Sequence, residues 1–372
     1  MRRRWHSPGN ALTGSVRVWI LVALLVGATP LAAAPPGGRG AGVSAPLPSD
    51  RARVTVVRNT HEYLTVHSDQ GTSLRGGAAF AYKTGRIQGK TKYLTDPGYY
   101  ERMRANGLNA VRLVCFDAYQ KSRDHRHTDF SDPKDLGDLL AETDAVVDLA
   151  SRAGMYVVVN YHDVGGYDKE YIGKFWDVMA TRYAKRTHVL YELMNEPVKW
   201  FPEHYTDENL ADVEALYRRV RRAAPDTHLV LLTFANTASY KPDVSMRTVA
   251  ERLTKTGQGI DWGNASVGFH TYQTKKTSKP IVDLVMHFPA INTEQNLPNN
   301  EGSVPMDGEE FGVQTMERLG LGWFHWHTHG PERFEKNYLG RVLPDAKAKG
   351  YLWKFDKQQA PAKWRGRSGP RQ

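Results

Sequence analysis

The 372-residue sequence has one cysteine, Cys115. No disulfide can form within the chain, and the place of Cys115 at the end of an apolar run marks it as a small buried hydrophobe rather than a catalytic thiol. No G-x-G-x-x-G turn follows an early strand, which argues against an open dinucleotide-binding sheet. No apolar run approaches the ~20 residues of a membrane span. The central part of the chain also lacks a charge excess. The formal charge is +10, but residues 1–34 hold four arginines and no acid, and residues 361–372 hold Lys363, Arg365, Arg367 and Arg371 and no acid. A nucleic-acid reader carries its basic excess on the folded domain, so nucleic acid is excluded as a partner.

What is present begins with an export pattern. Arg2, Arg3, Arg4 and Arg17 precede the apolar run Val18 to Ala28, and Ala32-Ala33-Ala34 offers small residues for cleavage. Charged, apolar and small in that order is the pattern of a secretory signal peptide. The expected organisation is a signal peptide at 1–34, a Pro/Gly/Ala-rich linker at 35–52, one catalytic domain at 53–355 and a basic, disordered tail at 356–372. A secreted monomer without stable membrane association after cleavage is expected.

From residue 50 onward, short apolar runs alternate with helical stretches. Eight strands are expected: Ser73–Phe80, Asn109–Cys115, Met155–His162, His188–Glu196, His228–Ala235, Ala265–Tyr272, Pro289–Asn296 and Gly322–Thr328. Runs such as MYVVVNYH and HLVLLTF are apolar at nearly every position, as in parallel strands buried on both faces. Between them, Leu136, Leu139, Leu140, Val146, Val147 and Ala150 make a helical stripe stopped by Gly154. Phe175, Trp176, Met179 and Tyr183 make a second, and Leu210, Val213, Leu216, Tyr217 and Val220 a third. Asp96-Pro97 is an N-cap followed by a first-turn proline, with Gly107 closing that helix. Asp307 is expected to open a further helix ending at Gly320. Eight such repeats fit an α/β fold, a single (β/α)8 TIM barrel. An amino-terminal β-hairpin over Glu62–Ser73, turning at Asp69-Gln70-Gly71, would plug its lower end.

In such a barrel the chemistry lies at the carboxyl ends of the strands. Strand two ends near Arg112, strand three at His162, strand four at Asn195-Glu196 and strand six at His270 and Tyr272. Strand seven brings Glu294, and strand eight Trp323 and Trp326. Two glutamates on strands facing each other across the mouth can converge on one bond. Glycoside hydrolysis needs such a pair: one carboxylic acid to protonate the leaving oxygen, and one carboxylate beside the anomeric carbon. The two must be held in different protonation states. Arg112 and the Tyr272 hydroxyl can stabilise an ionised Glu294. Asn195 can bind a sugar hydroxyl, and Trp326 offers a flat apolar face for a pyranose ring.

The chain resembles the cellulase family, glycoside hydrolase family 5. LRGGAAF (74–80), RANGLNAVRLV (104–114), GMYVVVNYHD (154–163), VLYELMNEP (189–197), HTYQ (270–273), INTEQN (291–296) and WFHW (323–326) match the family's segments in order, and the NEP segment is the most specific of them. The resemblance implies Glu196 as general acid/base, Glu294 as nucleophile, and Arg112, His162, Asn195, His270, Tyr272 and Trp326 around the substrate. It implies a secreted retaining endo-β-glycosidase on a β-1,4-linked polysaccharide, with β-1,4-glucan first and mannan or another β-glycan or glycolipid as the alternative. No metal or organic cofactor is implied. Gln295 and Asn296 depart from the aromatic residue and glycine that often follow the family's nucleophile. Trp200, Phe201 and Tyr205 are candidate cleft walls, with core packing the alternative for Tyr205.

Two other classes compete. His325, His327 and His329 alternate on one strand and with His162 and His270 could build a metal site. A sugar-binding relative without activity is the second, although both glutamates are present.

Overall fold

The computed structural model describes residues 51–81, 92–116, 128–163, 167–198, 201–235, 244–256, 259–271, 279–295, 313–326 and 334–348. The expected signal peptide, the linker up to residue 50 and the basic tail lie outside them, as do Asp307, Tyr272, Trp200, His327 and His329. No helix among the described residues is long and apolar enough to cross a membrane.

The strands are β1 (Thr55–Arg58), β2 (Leu64–His67), β3 (Arg75–Ala81), β4 (Ala110–Phe116), β5 (Tyr156–His162), β6 (Val189–Glu192), β7 (Leu229–Phe234), β8 (Ala265–Thr271), β9 (Ala290–Gln295) and β10 (Gly322–His325). β3 to β10 pair in parallel in chain order, and β10 returns to β3, closing an eight-stranded barrel. Helices Pro97–Ala105, Pro133–Arg152, Lys169–Tyr183, Asp207–Ala223, Met246–Thr256, Lys279–Val285 and Val313–Leu319 follow successive strands. The expected barrel is therefore the observed one.

The local signals that start and stop helices act as expected. The Asp96 carboxylate accepts from the Gly98 amide, with Pro97 in the first turn, and Asp132 does the same for the helix beginning at Pro133. Gly107, Gly154 and Gly320 lie at positive φ after their helices, where a side chain would be strained.

Most strand ends fall within two residues of expectation, and three features differ by more. The hairpin is not Glu62–Ser73: β1 pairs antiparallel with β2, and the turn at Asp69–Gly71 leads on toward β3, closed by the Ser68 amide and carbonyl bonding Thr72 and Gly71. β6 stops at Glu192, so Asn195 and Glu196 stand on the segment just beyond it. β10 stops at His325, one residue before Trp326. In the last two, apolar residues continue past the point where strand pairing ends.

The barrel interior has two levels. At its lower end Val54, Val56, Leu64 and Val66 of the hairpin segment pack with Leu74, Ala110, Tyr156, Val158, Leu190, Val230, Ile291 and Phe324. The β1–β2 hairpin thus plugs the lower end, and only its second strand falls within the segment expected to do so. Two residues further along the same strands, the inward positions turn polar: Arg112 after Ala110, Asn160 and His162 after Val158, Glu192 after Leu190. A larger apolar layer lies between the barrel wall and the helices and includes Trp176, Tyr183, Leu210, Val213 and Trp323. Cys115 belongs to it, and burial pushes its thiol pKa up, as expected of an inert buried sulfur.

Candidate active site

Arg112 is fully buried inside the barrel, where an uncompensated charge would be prohibitive. Three partners surround its guanidinium. Nε bonds Glu192 Oε2 at 2.6 Å, Nη2 bonds Asn195 Oδ1 at 2.7 Å, and Nη1 bonds Glu294 Oε1. Burial works against the charge, and the two carboxylates more than restore it. Glu192 also accepts from the Thr233 hydroxyl at 3.1 Å. One side chain thus ties barrel strands β4, β6 and β9 together beneath the mouth.

His270 joins the two glutamates. Its Nδ1 lies 2.8 Å from Glu196 Oε1 and 3.6 Å from Glu294 Oε2. Burial would lower its pKa, but the carboxylates of Glu294 and Glu196 raise it above the ordinary histidine value. Burial alone would push the Glu294 carboxyl up; His270, Arg112 and His162 outweigh that and hold it below the usual carboxylate range. An oxygen of Glu196, an oxygen of Glu294 and a ring nitrogen of His270 all lie within 4.8 Å of one another. Such a trio could ligate a cation, but the Arg112 guanidinium bonded to Glu294 works against positive charge there.

His162 behaves differently. Its Nδ1 contacts Asn160 Oδ1 at 2.9 Å, and its ring lies parallel to the Trp326 indole, 5.2 Å between centroids and 4° between planes. Burial drives its pKa down to about 3, so it is a neutral polar surface beside Glu294. Phe80 meets the edge of Trp326 at 5.1 Å, and the Trp326 amide donates to the Gln295 carbonyl at 2.8 Å. Trp326 is half-buried, held from two sides.

Arg112, His162, Asn195, Glu196, His270, Glu294 and Trp326 are therefore brought together. Two readings are corrected, at Trp323 and His325, and the alternative left open at Tyr205 is decided. Trp323 faces the helices, its indole N–H donating to Glu317. Tyr205 is buried against Phe234 and its hydroxyl donates to the Thr233 carbonyl, so it is core and not cleft wall; Phe201 is half-buried against the edge of His204. His325 stacks on Tyr338 and Phe334 outside the barrel wall and is kept neutral by burial, at about pKa 3. It does not join His162 and His270.

Two residues of the site escaped sequence reasoning. Glu192 sits inside the run VLYELM, where an acid on the inward phase of a buried strand was itself the signal. Asp163 accepts from the Asn195 amide at 2.8 Å through its carboxylate, and its backbone carbonyl accepts from the Asn195 side chain and the Glu196 amide. It clamps the segment that carries both residues.

Paired carboxylates at the carboxyl ends of the fourth and seventh barrel strands define a barrel of the glycoside hydrolase class. The chain belongs to the cellulase family, glycosyl hydrolase family 5, whose family model matches residues 67–330. Endoglucanase E-5 of Thermobifida fusca is 31% identical over 231 residues, 59% of this chain and 46% of that protein. Endoglucanase A of Evansella cellulosilytica is 23% identical over 201 residues, 50% of this chain and 38% of that protein. The chain thus spans less than half the length of these relatives. Among solved structures, a β-glucanase of Saccharophagus degradans in complex with cellotetraose aligns with a TM-score of 0.55 at 16% identity, covering 81% of this chain and 95% of its own. An endocellulase of Pyrococcus horikoshii aligns at 0.53 and 15%, covering 83% and 100%. These two likenesses concern the fold.

Proposed function

We propose that the chain is a secreted retaining endo-β-glycosidase that hydrolyses β-1,4-glucan by double displacement. Glu294 attacks the anomeric carbon while Glu196 protonates the leaving oxygen; Glu196 then takes a proton from water, which opens the covalent intermediate. The observation that carries this reading is the approach of the two carboxylates, with oxygens within 4.8 Å of each other and one His270 nitrogen between them. Retaining pairs stand ~5–5.5 Å apart and inverting pairs ~6.5–9.5 Å, because the latter must admit a water. Asymmetry supports the division of roles. Glu294 is buried and held ionised by Arg112 and His270, as a nucleophile requires, whereas Glu196 is the more exposed of the two. Trp326 and His162 would take a sugar ring beside them. The names of the curated relatives, both endoglucanases, support glucan as the substrate. The 1–34 pattern supports export.

The test is release of reducing ends from soluble β-1,4-glucan and β-1,4-mannan, with Glu294→Ala alongside. Cleavage of the glucan with retained anomeric configuration in the first product, abolished in the variant, is expected. Preference for mannan would overturn the substrate. Inversion would overturn the mechanism.

A further inference from the structure

Glu294 reaches the barrel interior only because its strand breaks step. Ile291 faces inward with the lower apolar layer. Strict alternation from Ile291 would turn Asn292 outward, Thr293 inward and Glu294 outward. The pairing departs from this. On one side Gly268 stands opposite Ile291 and Phe269 opposite Asn292, but His270 stands opposite Glu294. On the other, Trp323 stands opposite Asn292 and His325 opposite Gln295. Both neighbours find one residue too many on β9. Thr293 is that residue, a β-bulge, and the bulge restores Glu294 to the inward phase beside His270.

A bulge leaves backbone groups out of the ladder, and buried backbone groups need partners. Asn292 supplies them. With the amide oriented to satisfy its network, its nitrogen donates to the Glu294 carbonyl at 2.6 Å and the Phe269 carbonyl at 3.1 Å. Its oxygen accepts from the Thr271 hydroxyl at 2.8 Å. The side chain is fully buried and binds both strands on either side of the irregular step. Two donors and an acceptor on one short planar group are the property of asparagine; an aspartate lacks the donors and a leucine lacks everything.

We propose that Asn292 is the positioning residue of the nucleophile: its amide holds the Thr293 bulge that aims Glu294 at the anomeric carbon. This rests on the reading of Glu294 as nucleophile. Asn292 itself touches no substrate.

The experiment compares wild type, Asn292→Leu, Asn292→Asp and Glu294→Gln. It measures kcat and KM on soluble β-1,4-glucan, and the rate at which a 2-deoxy-2-fluoro-cellobioside with a good leaving group labels the protein covalently. Misplacing a reacting group by about 1 Å costs on the order of 100-fold. The expected result is a fall in kcat and in labelling rate of about 10- to 100-fold for Asn292→Leu, with KM within about twofold. Asn292→Asp, equal in size but without donors, should fall similarly and decides the matter if the leucine variant does not fold. Deleting Thr293 in the Asn292→Leu background removes the residue that required the bulge, and should recover about tenfold or more of the lost rate. Wild-type kcat and labelling in a folded Asn292 variant, with Glu294→Gln inactive, would overturn the positioning role alone. An active Glu294→Gln would overturn the nucleophile reading and with it any need to position that residue.

Discussion

Two arginines in this barrel are equally hidden and sit in opposite places. Arg75, on an outward position of β3, forms a two-pronged bond with Glu317 at 2.6 and 2.8 Å, and Glu317 also accepts from the Trp323 indole. Arg112, on an inward position of β4, is shared among Glu192, Glu294 and Asn195. The first pair is closed: among the described residues one guanidinium meets one carboxylate in two bonds, and both lie between wall and helix. The second is open-ended, since one cation serves two carboxylates and one of these stands at the mouth. Burial of an ion pair is therefore no mark of function by itself. What distinguishes the lumen is that the cationic groups which hold Glu294 ionised, Arg112 and His270, are shared with further carboxylates, Glu192 and Glu196, at the end of the barrel open to a substrate.

The largest test of this contrast is to remove each arginine. Arg112→Met should lower kcat by about 100- to 1,000-fold, as the loss of a preorganised electrostatic contact does. It should also cost about 3–5 kcal/mol of stability, because it strands a buried charge. Arg75→Met should cost a similar amount of stability, with the kcat of the folded fraction unchanged within about twofold. Urea denaturation and active-site titration measure the two quantities separately. A comparable kcat loss in Arg75→Met would erase the distinction between wall and lumen.

Glu192→Gln sharpens the contrast with a smaller effect. It keeps shape and one acceptor for Arg112 but removes one anion. Losing a charged hydrogen bond should cost about 1.5–3 kcal/mol of stability. Of the two carboxylates that bond the guanidinium, only Glu294 then remains. That makes ionised Glu294 easier to form, so the acidic limb of kcat/KM should move to lower pH. A limb that stays in place or moves up would show that Glu192 does not share the Arg112 charge with Glu294.

The barrel was legible because its strands are continuous apolar runs and its helices carry clear stripes and stops. The site was legible wherever a polar residue ends such a run, as at His162 or Glu196. Inside a run the outcome was mixed: Arg112 within AVRLVCF was read, and Glu192 within VLYELM was not. Glu294 was found by its neighbours in sequence and its match to a family segment. Its direction was not legible, since period-two counting along β9 points it to the wrong face. Only pairing with both adjacent strands exposes the bulge. The hairpin was misplaced by one strand because Asp69-Gln70-Gly71 is the stronger local turn signal, while the true hairpin turns through Asn59–Tyr63 with Glu62 at positive φ.

Burial and a bonded carboxylate treat histidine differently: within the lumen itself His162 is driven down to about 3 by burial, whereas His270, bonded to Glu196, is raised. His325 in the wall is held neutral, at about pKa 3, as are His228 at about 3 and His188 at about 4, all by burial. Each takes up a proton in the unfolded chain below its ordinary value of 6.5 but not in the native state until much lower pH. Stability is therefore lost as pH falls from about 6.5 toward 4, by about 1.4 kcal/mol per pH unit for each such group. His270 in the lumen is raised instead, so its contribution is fully present below 6.5 and is lost as pH rises through its native value. His325→Phe, which keeps the stack on Tyr338 and Phe334, should flatten the acid side of a stability profile between pH 6.5 and 4.5 without moving the alkaline side. An unchanged acid slope would mean that His325 is protonated in the native state.

The smallest effect concerns Gln295, the residue after Glu294. The bulge that turns Glu294 inward turns Gln295 toward the wall, opposite Thr271 and His325. Its side chain is buried, and among the described residues neither its amide oxygen nor its amide nitrogen has a hydrogen-bond partner. An unmet buried amide costs about 1–3 kcal/mol. Gln295→Leu, similar in volume, should therefore raise stability by about 1 kcal/mol. Activity should stay within about twofold, since the side chain points away from the carboxylates. A stability loss in the urea midpoint would show that the amide is partnered after all. A loss of kcat at unchanged stability would show that the wall behind Glu294 is not independent of the lumen in front of it.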